Sequence, residues 1–490
     1  MSEAFSAQQC QMPYTDAVRR YAETDFVRLD VPGHCGSAVA QPELVEVLGD
    51  AVLRLDIPPL VDGIDQGPSG TALQQSAALA AQAWGARRTW LLTNGASKGN
   101  LVACLALRHL GEQIVVQRTM HSSVMDGMVL GGLVGHYVQP VVDAQVGAAH
   151  GLSPEALAAS LDAHPDAVAA YLVSPSYFGA VADVAGLARV AHQRGKILVV
   201  DQAWAAHFGF HPGLPANALS QGADLVISST HKLGGSLTQS AMLHLGEGPH
   251  ADVLEPLVNR AFRSMQSTSA SSLLMMSLDI ARYSLAVHGA ERITGSLEAA
   301  AALRAGVAAE GRFTELSERF LRSPAVVDID PLRIVIDTRA GGIGGHAARH
   351  SLFHDHHIHT EMATDAAIVA VIGAGATPDI PRVLRGLHAL ADQGESASPV
   401  LGLPAPGPTA MTLRQAYFAP SELVPAQRAV GRISADSLAA YPPGIPNVLP
   451  GEVLTAEVVN FLQATANSPF GHVRGAADTG LSEIRVLTES

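Results

Sequence analysis

The stretch Asp224-Leu-Val-Ile-Ser-Ser-Thr-His-Lys-Leu-Gly-Gly-Ser-Leu-Thr-Gln-Ser-Ala-Met-Leu243 decides how the rest of the chain is read, and Lys232 stands at its centre. Its apolar start predicts a short buried strand, and Gly234-Gly235 predict a loop too small-residued to shield the lysine. An amine desolvated among small and apolar neighbours is neutral part of the time, and a neutral amine can form a Schiff base with an aldehyde. A strand-end lysine is more often simply solvated or salt-bridged, so these residues alone leave both uses open.

Strand and helix signals alternate on the N-terminal side of this stretch. Residues 28–37 hold Pro32, Gly33 and Gly36 and read as a loop carrying His34, followed by helical spacing over 43–55. A second helix over 72–84 is closed by Gly85. In Thr89-Trp-Leu-Leu-Thr-Asn-Gly-Ala-Ser-Lys-Gly-Asn100 a short apolar strand breaks into a small-residue turn from Asn94 to Asn100, with a helix predicted over 101–110. Such a junction offers backbone N–H groups to an anion, although many like it bind nothing. Strands over 113–117, 136–140, 168–174 and 196–201 then alternate with helices over 122–130, 154–163 and 184–194. Continuous apolar strands between helices imply an α/β fold with a mainly parallel sheet, whose ligands sit beyond the carboxyl ends of the strands. Asp201 ends one such strand and would share a rim with Lys232; a helix-capping aspartate is the plainer alternative.

On the C-terminal side, residues 266–272 form a hydroxyl-rich loop before a helix over 273–287. A helix over 291–312, strands over 333–337 and 367–373 and a helix over 345–357 predict a smaller α/β domain. There His346, His350, His354 and His357 fall on one helical face; with no cysteine nearby and no His-Glu-x-x-His pattern, the reading is a solvated or interface face and no metal. The Gly/Pro/Ser-rich run 394–408 reads as a linker to a C-terminal α+β domain. That domain contains Tyr441-Pro-Pro-Gly-Ile-Pro-Asn-Val-Leu-Pro-Gly-Glu452 ahead of a helix over 455–465. The expected organisation is an N-terminal segment 1–60, a large domain 61–290, a small domain 291–393, a linker 394–408 and a C-terminal domain 409–490.

Bulk properties bound the function. The chain has 490 residues, 48% of them hydrophobic, and a mean hydropathy of +0.20, which supports extensive burial. No run reaches the roughly 18 apolar residues of a membrane helix. The start of the chain carries no signal-peptide pattern, so the expected location is cytoplasmic. Cys10, Cys35 and Cys104 are odd in number and irregularly spaced, which argues against a disulfide framework or a CxxC zinc site. The net charge of −14 disfavours nucleic acid as a partner.

Taken in order, Pro32-Gly-His34, Gly63-Ile-Asp65, Thr93-Asn-Gly95, His121-Ser-Ser-Val124, Ser174-Pro-Ser-Tyr177, Asp201-Gln-Ala-Trp204, Ser229-Thr-His-Lys232, Tyr441-Pro-Pro-Gly-Ile-Pro446 and Pro450-Gly-Glu452 resemble the ornithine/lysine/arginine decarboxylase family. These are fold-type-I pyridoxal-phosphate enzymes, and the likeness is to the compact branch without an N-terminal receiver-like domain. The resemblance implies pyridoxal 5'-phosphate as cofactor, with Lys232 as its Schiff-base lysine and Asp201 paired with the pyridine nitrogen. It puts His121 on one face of the ring and Ala203 on the other. The phosphate would lie near Gly95, Ala96, Ser97, Ser229 and His231, with Ser269 reaching it from a neighbouring subunit of a homodimer or larger homo-oligomer. Lys232, His231 and His121 are the implied catalytic residues, with Lys232 or His231 returning a proton to the substrate carbon.

The implied reaction is decarboxylation of arginine, lysine or ornithine, in the setting of polyamine metabolism. The chain departs from the family pattern at Ala96 and Lys98, where a hydroxyl is lost and a cation gained, and at Ser122, which replaces a lysine. It departs also at Gln202, Ala270 and Ser272. These changes leave room for an aminotransferase or another pyridoxal-phosphate reaction on a basic amino acid. A catalytically silent dimeric binding protein is a third reading, disfavoured by retention of Lys232, Asp201 and His121.

Overall fold

A computed structural model of the chain describes residues 7–143, 146–391, 404–441, 446–468 and 471–489. Its principal strands are β1 (Arg88–Leu92), β2 (Gln113–Gln117), β3 (Val134–Val138), β4 (Ala167–Val173), β5 (Ile197–Asp201), β6 (Leu225–Ser228) and β7 (Ala241–Leu245). The helices that bear on the site are α1 (Ala72–Trp84), α2 (Gly95–Arg108), α3 (Ser122–Gly131), α4 (Thr230–Leu233) and α5 (Ser272–Glu310). The chain divides into two compact units, residues 1–106, 199–294 and 373–375 forming one and residues 107–198, 295–372 and 376–490 the other.

In the first unit the strand order is β1-β7-β6-β5. β5 and β6 are parallel, while β7 runs antiparallel to both β6 and β1, so β1 and β6 point the same way. Every residue of β5, β6 and β7 is buried, the reason these strands read as unbroken apolar runs. Thr71 and Gln74 form a reciprocal capping box at the start of α1, and Gly85 closes it in the left-handed conformation at φ 69°. Gly99 brings α2 close to the strands. A Cβ there would lie 2.9 Å from Ile227 Cγ2 and 3.1 Å from Leu92 Cδ1.

In the second unit β4-β2-β3 are all parallel. The same unit holds a four-stranded antiparallel sheet with Arg333–Asp337 and Ala367–Val371 at its centre, accompanied by the helix Gly345–His354. Further on, Leu438–Tyr441 pairs with Pro446–Val448 and with His472–Arg474, both antiparallel. The helix Ala456–Ala466, capped by Thr455, closes a core that includes Leu438, Val448, Leu454, Val458, Leu462 and Val473. Mostly parallel strands with helices, accompanied by antiparallel sheets, match the predicted α/β class.

Several expectations are corrected. The helix over 43–55 is two short helices, Pro42–Leu48 and Asp50–Leu55, because Gly49 takes φ 81° between them. α2 begins at Gly95 and not at 101, so most of the predicted turn from Asn94 to Asn100 is the opening of a helix. The helices over 273–287 and 291–312 are one, α5; Gly289 is only mildly unfavourable in a helix, at about 1 kcal/mol, and no proline interrupts the run. The helix over 345–357 stops at His354, and His357 sits at φ 53°, so the four histidines do not share one helical face. His346 instead lies 3.5 Å from Asp365, and the His350 and His354 rings are 4.4 Å apart. Residues 394–403 of the predicted linker and residues 442–445 of the proline-rich loop lie outside the described residues.

One interaction in the second unit is buried at both ends. Arg118, just past β2, sends Nη1 and Nη2 to the Glu452 carboxylate at 2.6 and 2.8 Å, and each side chain is 3% exposed. Arg118 also donates to the Pro446 and Asn447 carbonyls, and the Leu449 N–H donates to Glu452. Removing one partner strands a buried charge, so Glu452→Ala is expected to destabilise the fold by about 3–5 kcal/mol, read as a shifted denaturant midpoint.

Candidate active site

Three strand ends meet on one rim of the first unit. Asp201 at the end of β5 is paired in register with Ile227 of β6, and Gln202 N–H donates to the Ile227 carbonyl at 2.8 Å. Across β7, Leu91 and Ser228 are both partners of Met242. The chain therefore leaves β1, β5 and β6 on the same side, carrying Gly95, Asp201 and Lys232 with it.

Asp201 is 3% exposed, and an unsupported carboxylate would be costly there. Two donors hold it: Ala203 N–H bonds Oδ1 at 3.0 Å, and Asn100 Nδ2 bonds Oδ2 at 3.1 Å. Each oxygen retains a further lone pair, so the carboxylate can still accept a proton-bearing ring nitrogen. Asn100 lies on the second turn of α2, and the close approach of α2 at Gly99 brings it within reach of β5.

Lys232 sits in α4, a single helical turn after β6. Its Nζ lies 3.8 Å from the centroid of the Trp204 ring, so an indole face borders the amine. Ser229, at the N-cap position of α4, is buried, and its side chain makes no capping bond. His231 Nδ1 lies 2.8 Å from the Ser240 carbonyl oxygen, an acceptor, so Nδ1 carries the proton. Burial holds the His231 imidazole below its ordinary pKa, the hydrogen bond to Ser240 opposing and the charge of Lys232 assisting. In the neutral ring Nε2 is then a lone-pair acceptor.

Residues 239–240 join the lysine turn to the start of α2. The Gln239 carbonyl accepts from Gly95 N–H at 2.7 Å, and the Ser240 carbonyl accepts from His231 N–H at 3.3 Å. Gln239 is at φ 79°, a left-handed conformation that non-glycine residues adopt at a cost and that clusters at functional sites. Gly95, at φ 74°, opens α2, so the amides of Ala96 and Ser97 belong to a first turn without intrahelical acceptors.

The predicted site residues thus fall into three groups. Gly95, Ala96, Ser97, Asp201, Ala203, Ser229, His231 and Lys232 follow the three strand ends of one rim. His121 belongs to the second unit, where it caps α3; Nδ1 accepts from Ser123 N–H at 3.2 Å and lies 2.8 Å from Ser123 Oγ. Ser269 is exposed and bonds within its own loop, to Ser267 at 3.2 Å. Sequence reasoning gave no role to Asn100, Trp204 or Gln239. Asn100 was visible one turn into the Gly/Ser/Asn run, but its partner lies 101 positions away, and nothing local marks Gln239.

The donor set suits a phosphorylated pyridine aldehyde: a carboxylate for the ring nitrogen, an amine for the aldehyde and helix-start amides for the phosphate.

Comparison with known proteins agrees. The family model of the Orn/Lys/Arg decarboxylase major domain matches residues 12–338, and that of the C-terminal domain matches residues 407–469. The arginine decarboxylase of Bacillus subtilis is 33% identical over 492 residues, covering 98% of this chain and 99% of its own length. That of Halalkalibacterium halodurans is 32% identical, covering 99% of each. Lysine decarboxylase A from Pseudomonas aeruginosa superposes with a TM-score of 0.81 at 19% sequence identity, over 98% of this chain and 81% of its own, a likeness of fold. Whole-length identity above 30%, with both family models matched in order, means that this chain belongs to the Orn/Lys/Arg decarboxylase family.

Proposed function

We propose that the chain releases the α-carboxylate of arginine as carbon dioxide and leaves the corresponding amine. The reaction type, decarboxylation of a basic amino acid with pyridoxal phosphate, comes with the family. Arginine is favoured over lysine and ornithine by one observation, the whole-length likeness to arginine decarboxylases at 29–33% identity. Pyridoxal phosphate, when bound, supplies an aldehyde for amines and a ring that accepts the electron pair left by departing carbon dioxide.

The residues of the rim divide the remaining work. Asp201, fixed by Asn100 and Ala203, would hold a proton at the ring nitrogen. Gly95, Ala96, Ser97 and Ser229 would bind the phosphate, and His121 would lie against one ring face with Ala203 against the other. Lys232 would hold the aldehyde until the substrate amine takes its place, and its freed Nζ would then carry a proton to the substrate carbon. His231 serves that last step less well, because its Nδ1 proton is given to Ser240 and its neutral Nε2 has none.

We infer also that copies of the chain assemble at least in pairs in the cytoplasm. Support comes from Ser269, whose exposed hydroxyl stands in a loop where another copy's phosphate could meet it.

Lys232→Ala should remove the visible absorbance band of the lysine-bound cofactor and lower turnover by on the order of 10³-fold or more; a retained band would sink the assignment. Asn100→Ala leaves the cofactor site populated but loosens a charged hydrogen bond, so kcat should fall about tenfold with the band preserved. Amine release measured across arginine, lysine and ornithine should be fastest with arginine. Faster release from lysine would overturn the substrate choice, and amino transfer to a keto acid would replace decarboxylation with the transferase reading.

A further inference from the structure

Residues 118–131 of the second unit carry His121 and are held at three places by contacts to residues beyond 404. Arg118 is buried against Glu452, as described above. At the far end of α3, Arg414 Nη1 donates to the carbonyls of Val129, at 2.5 Å, and Leu130, at 3.1 Å. At the near end, Arg474 Nη2 donates to Ser122 Oγ at 2.9 Å.

The third contact differs from the other two. Glu452 pairs with a buried charge and Arg414 satisfies helix-end carbonyls, so both serve docking directly. Arg474 is exposed and its bond is to a side-chain hydroxyl, so its loss strands no buried charge and leaves the fold standing. Its surroundings give it another use. Ser122 is the first residue of α3 and follows His121, whose Nδ1 accepts from the Ser123 N–H and lies 2.8 Å from its hydroxyl. First turns of helices fray, and fraying here would loosen the bonds from Ser123 to the imidazole. Arg474 ends the strand His472–Arg474, itself bonded to Leu438–Tyr441, so the tether has a firm base. Asp126, one turn into α3, lies in the same neighbourhood: burial raises its carboxyl above the ordinary carboxylate range, and nearby His121 and Arg474 oppose that rise.

We propose that Arg474 is a positioning residue for His121: by holding Ser122 it fixes the first turn of α3 and with it the direction of the imidazole. The proposal rests on the reading above in which His121 lies against the cofactor ring. Arg474 does not touch substrate in this scheme; it acts through Ser122.

The test uses holoenzyme of the full chain with Arg474→Ala, Arg474→Lys, Ser122→Ala and the Arg474→Ala/Ser122→Ala pair. Arg474→Ala should melt like the unaltered protein, lower kcat roughly tenfold with KM within about twofold, and change the visible circular dichroism of the bound cofactor. Arg474→Lys should restore most of the kcat. Ser122→Ala should match Arg474→Ala, and the pair should be no worse than either alone, because all three remove one contact. The proposal is overturned if Arg474→Ala leaves kcat and circular dichroism unchanged, or if the two single effects multiply in the pair. If the unaltered protein releases no carbon dioxide from basic amino acids, the functional reading fails on its own, while the dichroism comparison still reports whether Arg474 orients groups at the ring.

Discussion

A carboxylate buried at the end of a fully buried strand is the constraint on which the first unit depends. Asp201 can stay there only if donors meet it, and the two that do come from different directions: the backbone two residues on, and Asn100 on α2. The second donor requires α2 to lie almost against β1 and β6, which the absent side chain of Gly99 permits. The same approach brings the opening turn of α2 to the rim on which Lys232 stands. Charge satisfaction, helix packing and the anion-facing helix start are thus one arrangement.

The lysine turn is secured by a different means. α4 is a single turn and has little stability of its own. It is anchored through the Ser240 carbonyl, while the neighbouring Gln239 carbonyl receives the first amide of α2. Gln239 adopts its left-handed conformation within that link, a local cost that the surrounding hydrogen bonds offset. In the second unit the segment bearing His121 is pinned through Arg118, Ser122 and the end of α3 by residues beyond 404.

Much of this was legible in the order of residues. The strands over 113–117 and 333–337 and the helices over 72–84 and 154–163 fall where periodicity put them, because their apolar faces and caps are local signals. The antiparallel β7 was not, since an apolar run does not record its direction. Small residues in 94–100 suggested a turn, yet a helix start accepts small residues as readily, and packing against Ile227 and Leu92 decided between them. The histidine face over 346–357 failed for a comparable reason: the helical period continued in the letters after the backbone had turned at His357.

The sequence by itself determined the α/β class and the family, and it put Lys232 and Asp201 forward as candidates for one cofactor. These follow from patterning and motif order, which are written along the chain. Tertiary structure alone decided that Asn100 supports Asp201, that Trp204 borders the amine, that Gln239 and Ser240 join two parts of the rim, and that Arg474 reaches Ser122 across 352 positions. Apart from the Ser240 bond to His231, each joins residues well separated in sequence, and one chain read alone carries no mark of which residue a side chain will meet until packing brings them together.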